Sequence, residues 1–197
     1  MASWTAVEGL LSDGLPMRVF LAEREGKLWA ASIHDNDHPK SEDEFVWNIG
    51  RDGDWQRNGD SRVLNEAVRQ ILEYFDGRRQ VFELPFAWRG TTFQNRVWQQ
   101  LTRIPYGHVQ SYGEVAEAIG QPMAPRAVGG ANRCNHLALL VPCHRVTAAG
   151  GKLGGYTGGL GLKRRLLAHE GAGIRAALSR ERRDQTRPRA SAFASIS

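Results

Sequence analysis

Cys143 and His144 are adjacent, with Pro142 before them and Arg145 after, at the end of the apolar run Leu139, Leu140 and Val141. That grouping can do nucleophilic chemistry. The thiolate is the attacking form of cysteine, and a free thiol is mostly protonated at neutral pH, so a base must be close. In an extended strand, successive side chains point to opposite faces. His144 therefore reaches Cys143 only if the chain turns here or a water bridges the two, and Pro142 marks a plausible end for a strand. A base needs an orienting partner; Glu170, beside His169, is the candidate. The plainer alternative is a buried structural cysteine with His144 hydrogen-bonded for packing. Zinc is a third reading, because Cys134-x-His136 and Cys143-His144 supply four ligands. Their spacing fits no common zinc pattern, and adjacent Cys-His seldom chelate one ion. Cys134 reads as a small residue packed on a helix.

These residues must be positioned by the elements around them. "TTFQNRVWQQLTRIPYG" reads as a helix capped by Thr92 and stopped by Pro105-Tyr106-Gly107. Ser111 and Glu114 have capping-box spacing before Val115, Ala116 and Ile119, and Gly120 ends that helix. A third helix, "APRAVGGANRCN", follows a short turn, and the pair has a helix-turn-helix signature. Its two consecutive glycines, Gly129 and Gly130, cost roughly 1 kcal/mol each against alanine. Close approach of another backbone, protein or DNA, offsets that cost, and Arg126 is the long side chain near the helix start. A glycine-rich loop then leads to a helix bearing Leu162, Leu166 and Leu167, closed by Gly171.

The first half reads differently. Residues 17–33 alternate as a hairpin with its turn at Glu25-Gly26. Residues 44–50, "EFVWNIG", read as a short strand in a polar loop. Residues 61–77 form an amphipathic helix capped by Ser61, with Leu64, Val68, Ile71, Leu72 and Phe75 on its apolar face and Gly77 at its end. Residues 80–88 read as a strand. The expected class is α+β: residues 1–87 an N-terminal α/β domain with a small antiparallel sheet, residues 88–171 a mainly helical domain with a helix-turn-helix, and residues 172–197 a basic, mostly disordered tail.

The chain has 197 residues, 41% hydrophobic and 24% charged, as a soluble globular protein has. It carries no long apolar run, no secretory signal pattern and no disulfide framework, which favours a cytoplasmic home without membrane contact. Its net charge of +5 is unevenly spread. Residues 1–87 hold 10 Lys/Arg against 16 Asp/Glu, a net of −6; residues 88–171 hold 10 against 3, a net of +7; the remainder hold 6 against 2, a net of +4. A basic back half suits a polyanionic partner.

The segments "FQNRVWQQLTRIPYGHVQSYGEVA", "RAVGGANRCN", "VPCHRV", "GGYTGG" and "LLAHEG" together resemble the O6-alkylguanine-DNA alkyltransferases, or methylated-DNA–protein-cysteine methyltransferases. They span about residues 92–171, and no motif in residues 1–87 carries the likeness. The resemblance implies single-turnover repair of duplex DNA containing O6-alkylguanine by a monomer without cofactor. It implies Cys143 as acceptor, His144 and Glu170 as a water-linked relay, Asn135 as the brace of the site, and Tyr112 as the residue crowding the DNA phosphate and assisting the leaving guanine. Arg126 is implied as the finger entering the duplex, with Ala127, Gly129, Gly130 and Arg133 on the DNA face. Tyr156, Thr157, Gly158 and Val146 are implied around the extruded base; Thr157 stands where relatives often carry serine. Some relatives bind zinc in the N-terminal domain; without cysteines there, no such site is expected here. The rival readings are a non-catalytic lesion-binding relative, a helix-turn-helix regulator, and a thiol hydrolase using the same three side chains.

Overall fold

The computed structural model describes residues 2–50, 55–57 and 61–172. Strands β1 (Ala2–Leu10), β2 (Pro16–Arg24), β3 (Lys27–His34) and β4 (Trp55–Arg57) form one sheet in the order β3-β2-β1-β4. Its first three strands pair antiparallel, and β4 runs parallel to β1. The expected hairpin is β2 and β3, and Glu25 and Gly26 make its turn at φ 55° and 73°.

Helix α1 (Glu42–Ile49) and helix α2 (Arg62–Phe75) cover opposite faces of this sheet. Val19 and Leu21 face α2, whose Leu64, Ala67 and Ile71 bury against them. Phe20 and Ala22 face α1, whose Phe45 and Ile49 close over them, with the Phe20 and Phe45 rings stacked at 5.1 Å. With both faces covered, β2 shows no polar alternation. Residues 44–50, expected as a strand, belong to α1. Ser41 Oγ caps it by accepting from the Glu44 N–H, three acidic residues occupy the first turn, and Phe45 and Ile49 stand one turn apart. In α2, Ser61 caps as expected, but Leu72 lies on the outer face, 40% exposed, and Tyr74 is buried instead.

The second half carries α3 (Thr92–Leu101), β5 (Gln110–Ser111), α4 (Tyr112–Ala118), α5 (Pro125–Arg133), β6 (Val146–Thr147) and α6 (Gly159–His169). Thr91 rather than Thr92 caps α3, through a full capping box with Gln94, and Ser111 and Glu114 form the expected box on α4. The two-helix unit is present as α4, the turn 119–124 and α5. It is tied to α3 by the Trp98 Nε1–H donating to the Ala131 carbonyl at 2.9 Å and by Arg96 donating to the Ile119 carbonyl.

The halves meet at the free edge of β3. Leu28 exchanges backbone hydrogen bonds with Pro85 and Ala87, and Ala31 does so with His136 and Ala138. Residues 80–88, expected as a strand, therefore touch the sheet only locally. One core runs from Val19, Leu21 and Ile71 through Trp98 and Val115 to Val146 and Leu166. Ala172, assigned to the tail by sequence, is buried beside Leu153 and Leu167; the rest of that tail lies outside the described residues.

Candidate active site

The apolar run before Cys143 is buried as expected, but it is a chain of tight turns rather than a strand. Leu139 sits at φ 71°, and the Cys143 N–H donates to the Val141 carbonyl. Pro142 then leads into a single 3₁₀ turn, Cys143–Arg145, which breaks the alternation that would have separated Cys143 from His144. Asn135 ties this segment down. Its Nδ2 donates to the Val141 carbonyl at 2.9 Å and to Cys143 Sγ at 3.2 Å, and its Oδ1 accepts from the Leu137 N–H.

Behind the cysteine lies a buried ionic cluster. His144 Nε2 donates to Glu170 Oε1 at 2.8 Å. The Arg145 guanidinium forks onto both oxygens of Glu170, at 2.8 and 3.0 Å, and donates to the Ile104 carbonyl. The Tyr74 hydroxyl, from α2, donates to Glu170 Oε1 at 3.0 Å, and the Gly107 N–H reaches Oε2 at 3.5 Å. Such convergence is what a buried carboxylate requires, since an unpaired buried charge is far costlier than a paired one. Burial alone would raise the Glu170 pKa; His144 and Arg145 outweigh it and hold the carboxyl well below the usual carboxylate range. Burial pushes the His144 imidazole down, against the pull of Glu170, so the ring rests neutral. With Nε2–H committed to Glu170, Nδ1 is the free acceptor, and it is buried with no hydrogen-bond partner in the protein.

Burial also pushes the Cys143 thiol up, opposed by the Asn135 hydrogen bond and the Lys163 charge. The resting group is a protonated thiol beside a neutral imidazole. Lys163 itself is fully buried, its Nζ donating to the carbonyls of Val146 at 2.5 Å, Leu153, and Gly155 at 3.5 Å. Burial lowers its pKa to about 8.

A cavity of about 510 Å³ opens onto Cys143 between α4, α5 and the loop before α6. Tyr112, Arg126, Gly129, Gly130, Arg133, Tyr156 and Thr157, all expected at the site, line it. The glycines leave real space, because a Cβ at Gly130 would meet nothing within 4 Å. Gly154, at φ 67°, is different: a Cβ there would press on the Tyr112 ring at 3.1 Å. Ala127 is exposed on α5 outside this lining, and Gly158 borders a second cavity that also reaches Cys143. Val146 is not brought to the site. Beyond the 3₁₀ turn the chain enters β6, pairs with Gln110, and buries Val146 completely in the core. Cys134, expected as a packed residue, is exposed at the end of α5. The four zinc-ligand candidates do not converge: His136 donates to the Ala87 carbonyl while His144 is held by Glu170.

Sequence reasoning missed Tyr74, Asn132 and Lys163. Tyr74 lies 96 residues from its partner Glu170, beyond any local pattern. Lys163 stands within an apolar helix stripe, and that was its one available signal.

Comparison with known proteins fits this geometry. The profile described as 6-O-methylguanine DNA methyltransferase, DNA binding domain, matches residues 92–172. The methylated-DNA–protein-cysteine methyltransferase of Mycolicibacterium paratuberculosis is 52% identical over 116 residues, covering 59% of this chain and 69% of that protein. The chain belongs to the methylated-DNA–protein-cysteine methyltransferase family. Another member of that family, the constitutive enzyme of Bacillus subtilis, is 39% identical over 141 residues, covering 72% of this chain and 73% of the relative. The crystal structure of Mycobacterium tuberculosis OGT in complex with DNA superposes with a TM-score of 0.70 at 37% identity, covering 86% of this chain and 92% of that one. The family's matched region holds every residue of the Cys143 cluster except Tyr74, which the sheet-bearing half supplies. Among the described residues, no helix is long and apolar enough to cross a membrane.

Proposed function

We propose that this protein repairs DNA by moving an alkyl group from guanine O6 to Cys143, once per molecule. The observation that carries the reading is a buried thiol bordering an open cavity, adjacent in the chain to a buried His144 whose Nδ1 is unpaired in the protein. An O6-alkyl carbon inside a duplex is out of reach, so the base must be everted, at a cost of a few kcal/mol that is smaller for a poorly paired lesion. Arg126, on the mouth of the cavity, fills the vacated stack as side-chain wedges do in minor-groove binders. Ala127, Gly129, Gly130 and Arg133 let α5 approach the groove, and phosphate contacts make binding weakly sequence-specific and salt-dependent.

With the base seated against Tyr156 and Thr157, Cys143 Sγ attacks the alkyl carbon. The Sγ–C bond forms as the C–O6 bond breaks. The thiol proton passes through a water to His144 Nδ1, and Glu170 stabilises the resulting imidazolium. Tyr112, half-buried at the cavity wall, gives its hydroxyl proton to the departing guanine anion; the imidazolium then releases the thiol proton to solvent and Tyr112 regains one, so the net proton change is zero. The product thioether has no hydrolytic route in this site. Residues 1–87 serve as a supporting domain and residues 88–171 as the reacting one, and the protein works as a cytoplasmic monomer.

The test is a duplex carrying labelled O6-methylguanine. Label should move to protein at one per chain, and Cys143→Ala should bind the duplex and take none. Transfer by that variant would overturn the assignment. Binding without transfer by the wild type would favour a lesion-binding or regulatory protein.

A further inference from the structure

The second cavity, of about 450 Å³, meets the first at Cys143, Asn132, Tyr156 and Thr157. It is lined by residues of β3, α1 and the loop that joins them. In-line attack by Sγ on the reacting carbon leaves the rest of the alkyl chain to the side of the S···C···O axis, and this second space, which shares Cys143 with the first, is room beside the sulfur. The volume far exceeds that of a methyl group. Its wall is more apolar than polar, and the charged groups set in it are mostly basic. Lys40, from the loop before α1, and Arg89, from the segment before α3, both line it, and neither borders the first cavity. Neither has a carboxylate partner among the described residues, and Arg89 is held only over the Trp29 ring at 4.0 Å. His34, His38 and His136 add imidazoles, and Glu44 is the one carboxylate in the lining. Ser32 Oγ and His34 Nε2 are buried there with no hydrogen-bond partner in the protein. Two cations without a carboxylate partner beside buried, unpaired hydrogen-bonding groups suit an anion at the half-open end of this cavity.

Resting on the alkyl-transfer reading, we propose that this second cavity is a substituent chamber that selects O6-alkylguanines whose chain is several carbons long and ends in a carboxylate. The carboxylate is a spectator to the reaction. It sits against Lys40 and Arg89 while Sγ takes the first carbon of the chain, the C–O6 bond breaks, and the thiol proton leaves through His144. A methyl group does not reach the chamber and gains nothing from it.

The test compares three duplexes of one sequence, carrying O6-methylguanine, O6-carboxypropylguanine, or its uncharged isostere O6-carbamoylpropylguanine. Single-turnover transfer to the full-length protein is measured with protein in excess. The carboxylate should react about ten-fold faster than the amide, the worth of one charge-assisted contact. In Lys40→Gln/Arg89→Gln that preference should fall to near unity, while the methyl rate, which also reports folding, stays within about two-fold. Equal acid and amide rates in the wild type, or a preference untouched in the double variant, would overturn the chamber. Failure of methyl transfer in the wild type would overturn the alkyl-transfer reading itself, and the two failures are thus distinct.

Discussion

On the α6 side of Cys143, Glu170 accepts from His144, Arg145, Tyr74 and Gly107, and both its oxygens are occupied. On the α5 side, Asn132 and Tyr156 hold buried polar atoms with no protein partner, and Arg126 stands exposed. The Glu170 cluster is complete before any substrate arrives, leaving only His144 Nδ1 open for a proton, so its geometry costs nothing to assemble at the moment of reaction. The open side is unfinished in the same sense that a lock is, and its unpaired groups wait for a base and a phosphate. A protein that needed only stability would have closed both.

Breaking the closed side should do the most damage. Glu170→Gln leaves the Arg145 guanidinium buried without a counter-charge and takes the carboxylate away from the His144 Nε2–H. It should cost about 3–5 kcal/mol in denaturant unfolding and drop transfer by more than about 100-fold. His144→Gln keeps the fold and should lower transfer by about 10²–10⁴ at neutral pH. Tyr74→Phe deletes one donor of several to Glu170. A loss of roughly 1.5 kcal/mol in stability and a several-fold slower transfer are expected, with duplex affinity unchanged in a fluorescence titration. An unchanged rate there would show that the sheet-bearing half is only a support. On the open side, Arg126→Ala should leave stability intact, spare reaction with free O6-benzylguanine, and slow duplex repair about ten-fold. Equal losses on both substrates would place Arg126 in the chemistry rather than in eversion.

Stability should also report the closed side through its pH dependence. His144 is held below its ordinary 6.5 and Glu170 below its ordinary 4.5. Each binds fewer protons folded than unfolded, so stability falls as pH drops below 6.5, and falls again below 4.5. Glu170→Gln should flatten the second decline in urea titrations at successive pH values.

The two sides were unequally legible in the sequence. The adjacent Cys143 and His144 and the Ser111–Glu114 box are local patterns, and local patterns survive translation into structure. The α1 segment was misread because Phe45, Val46, Trp47 and Ile49 favour strands, while a single serine cap and the i, i+4 spacing of Phe45 and Ile49 decide for helix. Tyr74 was invisible because its role depends on the docking of the 85–87 and 136–138 segments against the edge of β3. Val146 was carried into the pocket by proximity to Cys143 in sequence, and the 3₁₀ turn sends it the other way.

The division of labour around Cys143 rests on a protonated thiol that gives up its proton through a neutral His144. The direct measurement is the rate constant for reaction with free O6-benzylguanine across pH, for the wild type and His144→Gln. Because burial holds His144 below 6.5 and Cys143 above 9.0, the wild-type rate should be level between those values and fall below them, whereas the variant should climb with pH as its thiol ionises unaided. A wild-type profile that climbs in step with the variant would contradict the relay.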